Sequence, residues 1–507
     1  MAERISVTLN GRVLSCEAGT RLSALLPAAG GRPLPCGGHG HCGKCRVTAE
    51  GALTPPTAAE RRHLTEAELA AGVRLACQAA ALGDCTVSFG DADTMRAQIL
   101  TGGALPPLTL APRFGADGCG AAVDVGTTTL AARLYDAAGR LLAEASRLNP
   151  QSAWGADVVS RMEAALAGQA GALAASIRGA VDGLLAELSA KAGTGAPQAV
   201  VVTGNTVMLH LLTETDVEPL THAPFAAARL FGETLPARAL SLASLDPETP
   251  VFLPPCIASF VGADTVTAML AAGFGEADDT ETRLLCDIGT NGETVLSHRG
   301  RLYACSTAAG PAFEGAGISM GMGGLPGAID RVRVAPDGTL DAHVIGGAAP
   351  VGICGSGLID AVAALLETEA LDETGYLEDD PTPILPPVSL TQADIRAVQL
   401  AKSAIHAGLR TLLSAAGAPI GEVRALLVAG GFGSYLDVRA GARIGLLPQE
   451  LADRVRVLGN AALAGASMLL LSRPLEAVCR TLAHRTEHVS LAANPVFSEE
   501  YMERMLF

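Results

Sequence analysis

Three thiols stand within ten residues, Cys36-Gly-Gly-His-Gly-His-Cys42-Gly-Lys-Cys45, in a stretch too rich in glycine to be a helix or a strand. A fourth, Cys77, follows in Leu75-Ala-Cys-Gln78. Spaced C-x5-C-x2-C with one further cysteine at a distance, four thiolates can wrap a small metal centre, because glycines let backbone N–H groups turn inward toward bridging sulfides.

This spacing lies close to the plant-type iron-sulfur rule, with the first gap one residue longer. Structural zinc on the same thiolates is the weaker reading, since such sites come as paired C-x2-C knuckles and one such pair is present. Unrelated buried cysteines are a third reading. A Rieske centre would use His39 and His41 in place of two thiols; with four cysteines at hand, the histidines are read as loop filler. Gly38-His-Gly40-His-Cys-Gly43 also fits G-x-G-x-x-G, but no helix opens after it, so it is not a dinucleotide fingerprint.

A chain of 507 residues with 49% hydrophobic content should form two to four domains with large cores. Its net charge of −16 argues against a nucleic-acid backbone or an anionic membrane as partner, and favours a protein or a small molecule. Met1-Ala-Glu-Arg-Ile-Ser-Val lacks the apolar centre of a signal peptide, and the run from Ala461 to Leu471 has only the length of a buried helix. Twelve cysteines without a leader point to a reducing, cytoplasmic setting.

Residues 4 to 16 alternate in polarity around Asn10-Gly11, a hairpin signal. A short helix capped by Thr20 should run through Leu26, followed by the cysteine loop, a strand at Arg46 to Ala49, a helix capped near Thr65, and strands near Val73 and Thr86 to Phe89. This α+β module of about ninety residues resembles a 2Fe-2S ferredoxin of β-grasp type. The resemblance implies a 2Fe-2S cluster on Cys36, Cys42, Cys45 and Cys77, with Cys85 as the thiol most readily confused with a ligand. Residues 91–118, with Gly102-Gly103, Pro106-Pro107 and Pro112, read as a connector suited to tether a carrier.

From Gly120 strands alternate with alanine-rich helices, as in α/β layers. Val123-Asp124-Val-Gly126-Thr127-Thr128-Thr129 ends one strand, and Leu285-Cys-Asp287-Ile-Gly289-Thr290-Asn291-Gly292-Glu293 ends another far downstream. The recurrence predicts a duplicated, two-lobed fold over 119–275 and 276–507. In each turn the Asp can hold Mg²⁺, the glycine lets amides approach phosphate oxygens, and the hydroxyls with Asn291 add neutral donors. An isolated turn of this kind is as readily an ordinary Asx turn; the pair is what carries the reading. A Walker-type loop is excluded, because G-x-x-x-x-G-K-[ST] does not occur. A third cluster, Leu427-Val-Ala-Gly430-Gly431-Phe432-Gly433-Ser434, suits a purine and ribose, and Gly459-Asn460-Ala461-Ala462-Leu463-Ala464-Gly465-Ala466 suits tight helix packing or a hinge.

These segments resemble the phosphate 1, phosphate 2, adenosine and connecting motifs of the ASKHA superfamily of sugar kinases, Hsp70 and actin. Asn149-Pro-Gln151, Gly155-Ala-Asp157-Val, Gly204-Asn205-Thr206, Gly310-Pro-Ala-Phe-Glu314 and Gly352-Ile-Cys-Gly355-Ser-Gly357-Leu-Ile-Asp360 extend the match. A 2Fe-2S module joined to this pattern resembles the ATP-dependent reductive activators of corrinoid proteins, some of which carry an additional domain where this chain has its connector. The resemblance implies one-electron reduction of Co(II) to Co(I) in a partner corrinoid protein, driven by Mg-ATP, with an electron donor that refills the cluster, and it is compatible with a homodimer. Asp124 and Asp287 would position Mg²⁺ and water, with Glu293, Glu314 and Asp264 as alternative bases. A small-metabolite kinase with a redox-sensing ferredoxin is the rival, weakened by the lack of a recognisable sugar-binding run. An electron carrier with a chaperone-like partner-binding half is a further one. The CoA-dehydratase activators hold a 4Fe-4S cluster between subunits, which the ferredoxin module argues against.

Overall fold

Asn10 and Gly11 both take positive φ, 45° and 84°, and the turn they make closes strand β1 (Arg4–Leu9) onto β2 (Arg12–Glu17) with Leu9 opposite Arg12. The protein is seen here as a computed structural model that describes residues 4–26, 40, 43, 45–89, 105–275, 280–430 and 436–507. After the hairpin come α1 (Leu22–Leu25), β3 (Arg46–Leu53), α2 (Ala58–His63), α3 (Glu66–Ala70), β4 (Val73–Leu75) and β5 (Ala81–Ser88). The sheet order is β2-β1-β5-β3-β4, with β1 and β5 parallel and the other neighbours antiparallel, the mixed sheet of a β-grasp ferredoxin. Its core is its own: Val7, Leu9, Leu22, Val47, Leu75 and Val87 are buried together.

Two local expectations change. Thr20 does not cap α1; its hydroxyl donates to the Glu17 carbonyl, and Arg21 occupies the cap position. Helix α2, not foreseen, is opened by a capping box between Thr57 and Glu60, the device that Thr65 and Glu68 repeat at α3. Glu60 is wholly buried on the inner side of α2, where it accepts two hydrogen bonds from Arg74, at 2.8 and 3.0 Å, and one from the Leu75 amide. Burial opposes its ionisation, but those hydrogen bonds and that from Thr57 hold its carboxyl below the usual range.

The next sheet contains β6 (Cys119–Val125), β7 (Thr129–Asp136), β8 (Leu141–Leu148), β9 (Val200–Gly204), β10 (Phe231–Pro236) and β11 (Pro250–Pro255), interleaved with α4 (Val158–Ala164), α5 (Ala170–Ala192) and α6 (Thr206–Thr213) and followed by α7 (Ala263–Ala271). Then come β12 (Arg283–Ile288), β13 (Gly292–His298) and β14 (Arg301–Thr307). A small sheet of β15 (Ala328–Val334), β16 (Leu340–Val344) and β17 (Gly352–Ile353), helix α8 (Gly355–Glu367) and the pair β18 (Thr382–Leu385) and β19 (Val388–Leu390) are inserted before the long α9 (Gln392–Ala416). The chain ends through β20 (Ala425–Ala429), α10 (Val438–Arg443), β21 (Val455–Gly459), α11 (Ala461–Leu471), α12 (Leu475–Arg485), β22 (Thr486–His488) and α13 (Pro495–Glu503).

The two large sheets run β10-β11-β9-β6-β7-β8 and β21-β20-β12-β13-β14-β22. Setting aside edge strands β10 and β22, each reads fifth, fourth, first, second, third in chain order. The parallel and antiparallel pairings also agree, so the duplicated ASKHA architecture is present. Helices α7 and α11, each following the fifth strand of its lobe, lie between the sheets in a core that takes Ala122, Val201 and Phe252 from one and Leu285, Val295 and Leu427 from the other. A Cβ at Gly465 of α11 would stand 1.9 Å from the carbonyl oxygen of Thr267 on α7, so only glycine permits this approach.

The connector is not free along its length. Ala111 bridges to Ser472, and Arg113 donates to the Leu469 carbonyl and to Glu476, which straps residues 111–113 to the ends of α11 and α12. Residues 90–104 lie outside the described residues. No described helix is long and apolar enough to cross a membrane.

Candidate functional site

Strands β6 and β12 are the first strands of their lobes, so their carboxyl ends meet at one cleft. The Gly126 amide donates to the Thr129 carbonyl at 2.9 Å and the Gly289 amide to the Asn291 carbonyl at 3.0 Å, closing a four-residue turn in one lobe and a three-residue turn at the matching place in the other. A Cβ at Gly126 would stand 2.7 Å from the Thr129 oxygen. At Gly430, with φ 108°, it would stand 2.3 Å from the Ile288 oxygen, so the end of β20 lies directly against the second turn.

One cavity is lined by Asp124, Gly126, Thr127, Asp287, Gly289, Thr290, Asn291, Glu293 and Gly430, which gathers the expected residues of both lobes. Thr128 joins them through its hydroxyl, which donates to Glu314 Oε2 at 2.6 Å; Thr290 donates to the same oxygen at 2.5 Å, and the two hydroxyl oxygens are 3.3 Å apart. One carboxylate oxygen thus sits between hydroxyls of opposite lobes. Asp264, in the first turn of α7, lines the cavity with Glu314, so both alternative bases are present beside Glu293. Gly431 and Gly433 lie outside the described residues.

The cleft is crowded with acid. Burial, then Asp264, Asp124 and Glu314, push Asp287 up to about 8. Burial raises Asp124 to about 7, with the Asn460 hydrogen bond opposing it and Asp264 adding to it. Burial also raises Asp264 to about 6 and holds Glu293 well above the carboxylate range, with Asp264 and Asp287 contributing. Carboxylates this close cannot all ionise alone. A hard dication takes oxygen ligands of this type and would relieve the repulsion, so Asp124 and Asp287 are residues that could hold one together with water and phosphate oxygens; among the described residues no three acidic side chains come close enough to hold a metal by themselves. The hydroxyls of Thr127, Thr128 and Thr290, beside a first turn tight enough to demand glycine at 126 and a second against which Gly430 closes, fit phosphate oxygens.

Several supporting residues were not singled out from sequence as site residues. Asn460 caps α11 through Oδ1 and donates from Nδ2 to Asp124 at 2.9 Å, so a lobe II residue holds a lobe I carboxylate. Asn205 caps α6 and donates to Thr127 Oγ1 at 3.0 Å, and Asn149 donates to the Gly126 carbonyl at 2.8 Å. All three asparagines lie in glycine- or proline-marked segments, a usable signal. Arg161 had none: it is fully buried, donates to the carbonyls of Thr127 and Gly155, and is lowered to about 10 by burial, with Asp157 and Glu314 opposing.

In the ferredoxin module, the register that sets Arg46 opposite Leu75 brings the start of β3 to the end of β4. Cys45 and Cys77 are 2% and 1% exposed, with sulfurs 3.2 Å apart, close enough to share one iron. Gly40 and Gly43, both at positive φ, are packed so that a Cβ would meet Gln78 and His63 at 2.7 and 2.8 Å; Gly40 therefore lies against the residue next to Cys77. This arrangement fits the expected cluster, and Cys36 and Cys42 lie outside the described residues. Cys85 is opposite Gly51, six residues along β3 from Cys45, roughly 20 Å away at strand rise, and burial raises its thiol. It is out of reach of the pair.

Residues 7–82 match the 2Fe-2S iron-sulfur cluster binding domain, residues 119–277 the RACo middle region, and residues 281–507 the C-terminal domain of RACo, the ASKHA domain. Over 428 residues the chain is 35% identical to the corrinoid activation enzyme RamQ of Eubacterium limosum, across 76% of this chain and 70% of that protein. The chain belongs to the reductive activators of corrinoid proteins. A second member, the [Co(II) methylated amine-specific corrinoid protein] reductase of Methanosarcina barkeri, is 28% identical over 338 residues, 60% of this chain and 62% of that one. Among solved structures, the activator fold is matched by the reductive activator for corrinoid, iron-sulfur protein, with a TM-score of 0.71, 27% identity, and 99% and 98% of the two chains covered. As an activator the chain combines a 2Fe-2S domain with an ATP-binding ASKHA domain.

Proposed function

We propose that this activator reduces Co(II) to Co(I) in a partner corrinoid protein, one electron at a time, and that its two-lobed domain couples the transfer to Mg-ATP. What supports the ATP half most directly is the single Glu314 oxygen held between Thr128 and Thr290, because an anionic oxygen seated between hydroxyls of both lobes marks the position suited to a phosphate. A 2Fe-2S cluster supplies one electron and takes one back, matching a one-electron change at cobalt.

The residues divide the work. Cys36, Cys42, Cys45 and Cys77 hold the cluster. Gly126, Thr127, Thr128, Gly289, Thr290 and Asn291 bind the phosphates, and Gly430, Gly431 and Gly433 the adenosine. Asp124 and Asp287 would hold Mg²⁺ and orient the attacking water, and whichever of Glu293, Glu314 and Asp264 is ionised beside the bound cation would take its proton. Free energy reaches the electron transfer only through a change in shape, and the α7–α11 seam between the lobes is where they would turn on each other. The ferredoxin module over 1–90, the connector over 91–118 and the lobes over 119–275 and 276–507 are the moving parts of this reading. The donor that refills the cluster is a separate molecule, and buried thiols in the ferredoxin module and in both lobes suit a reducing cytoplasm.

The test is anaerobic reduction of a corrinoid protein held as Co(II), following the Co(I) absorbance with dithionite-reduced activator, with and without Mg-ATP. Cobalt reduction that needs Mg-ATP, together with an S = ½ resonance and equal iron and sulfide, is the expected result. Cobalt reduction indifferent to ATP would replace it with the plain electron-carrier reading, and turnover stimulated by a hydroxylated metabolite instead of the corrinoid protein would replace it with the kinase reading.

A further inference from the structure

The outer side of lobe II has a second cavity, of about 630 Å³, which shares no lining residue with the cleft. It lies between α9, the end of α10 and the last residues of the chain. Lys402 and His406 form its inner wall. They stand one helical turn apart on α9 and are 1% and 4% exposed.

Each presents an incomplete hydrogen-bonding group. An ammonium has three donors, and the described hydrogen bond from Lys402 Nζ, to the Leu506 carbonyl, uses one; the Phe507 ring stacks on the same nitrogen at 4.8 Å. His406 Nδ1 is 2.9 Å from the Gly445 carbonyl, which can only accept, so Nδ1 carries the proton and Nε2 keeps a lone pair. Burial first, with Arg504 and Arg410, lowers the imidazole to about 4, so the ring is neutral. That lone pair is buried and has no partner among the described residues. Leaving such an acceptor unmade is costly, and the cavity is of the size that small ligands fill.

The charges at the mouth do not alter the sign inside. Glu373, Glu450, Glu503 and Arg443 are exposed there, where water and salt screen them, and Glu450 is paired with Arg410 at 3.1 Å. Arg504, half-buried, also lines the cavity and is paired with Glu500 at 3.2 Å, so among the described residues the interior offers Lys402 as its unpaired positive donor, one neutral acceptor a turn away, and the apolar side of Phe507.

We propose that this cavity binds a small hydroxycarboxylate, with its carboxylate on the Lys402 ammonium and its hydroxyl donating to His406 Nε2. A plain carboxylate would leave the histidine unsatisfied, and a neutral alcohol would leave the lysine without a counter-charge. The site is separate from the ATP cleft and does not depend on the reading given for it.

Calorimetric titration of the full chain with glycolate, acetate and methyl glycolate tests this. Glycolate should bind at one site, with acetate and methyl glycolate each weaker by roughly tenfold or more, the effect of one lost hydrogen bond or charge contact. Lys402→Met should abolish glycolate binding. His406→Phe should erase the preference for glycolate over acetate, while His406→Gln, which keeps an acceptor, should retain part of it. Unchanged Mg-ATP binding would show that the variants are folded; should Lys402→Met fail that check, the two His406 variants decide the matter. Equal affinity for the three probes, affinity for glycolate unchanged by the substitutions, or no binding of any probe would overturn the proposal.

Discussion

Asp124 and Asp287 occupy the same place in two copies of one fold, and the cost of burying them together is visible in their raised pKa values. Asp124→Asn or Asp287→Asn should lower Mg-dependent ATP hydrolysis by roughly a hundredfold or more, since each removes a charged ligand, while the visible spectrum of the 2Fe-2S centre stays as in the parent. Phosphate release and absorbance on the same sample check both halves. The raised values also carry a sign for stability. The folded chain binds more protons than the unfolded one between the ordinary carboxylate range and about 8, so this cluster makes the metal-free protein less stable as pH rises through that window. Added Mg²⁺ should therefore raise the melting temperature more at about pH 8 than at about pH 6, where Asp264 and Asp124 are still partly protonated. An equal shift at both would mean the carboxylates do not hold the metal. At this scale the two Asp-Gly-Thr turns were legible because each puts chemistry within a few residues, whereas Arg161, whose partners are 34 and 6 residues away, left no local trace.

Among elements, α11 is the one whose sequence and packing agree most closely. It is buried along its whole length, and its small residues let it lie against α7 at a distance that backbone atoms set. Gly465→Ala places a methyl at 1.9 Å from the Thr267 carbonyl, so the helices must separate or tilt. Overpacking of this kind costs roughly 1–3 kcal/mol, and because both lobes share the seam the substitution should also weaken ATP binding. Calorimetric melting and nucleotide titration should move together. A lower melting temperature with unaltered nucleotide affinity would show that the seam stabilises the fold without governing closure. The sequence pattern Gly-Asn-Ala-Ala-Leu-Ala-Gly-Ala announced close packing but not its partner. Helix α2 shows the reverse: Thr57 and Glu60 have the spacing of a capping box, yet Glu60 also reaches Arg74 across the module, a contact no local rule supplies.

The whole molecule is two machines with separate cores. Among the described residues the ferredoxin core draws only on its own module, and Cys45 and Cys77 belong to it and not to the core at the seam of the lobes. Cys77→Ser should abolish the 2Fe-2S spectrum and cobalt reduction while basal ATP hydrolysis continues near the parent rate, measured on one preparation. Loss of ATP turnover in that variant would mean the cores depend on each other. Part of what joins them is less slack than a tether of 28 residues, since Arg113 fixes the far part of the connector to α11 and α12.

From the sequence alone came the cysteine framework, the repeated turn, the order of the nucleotide motifs and hence the pairing of a ferredoxin with an ASKHA domain. Each is written in residues whose spacing is short or whose backbone demands are unusual, so local chemistry exposes them. The tertiary structure decided what depends on distant groups meeting: that Asp264 and Glu314 join the two aspartates, that Asn460 of one lobe holds Asp124 of the other, that Cys85 is a strand's length from the thiol pair, and that Lys402 and His406 share a second cavity. Burial and electrostatic coupling are properties of space rather than of sequence order, and only the folded chain brings such groups together.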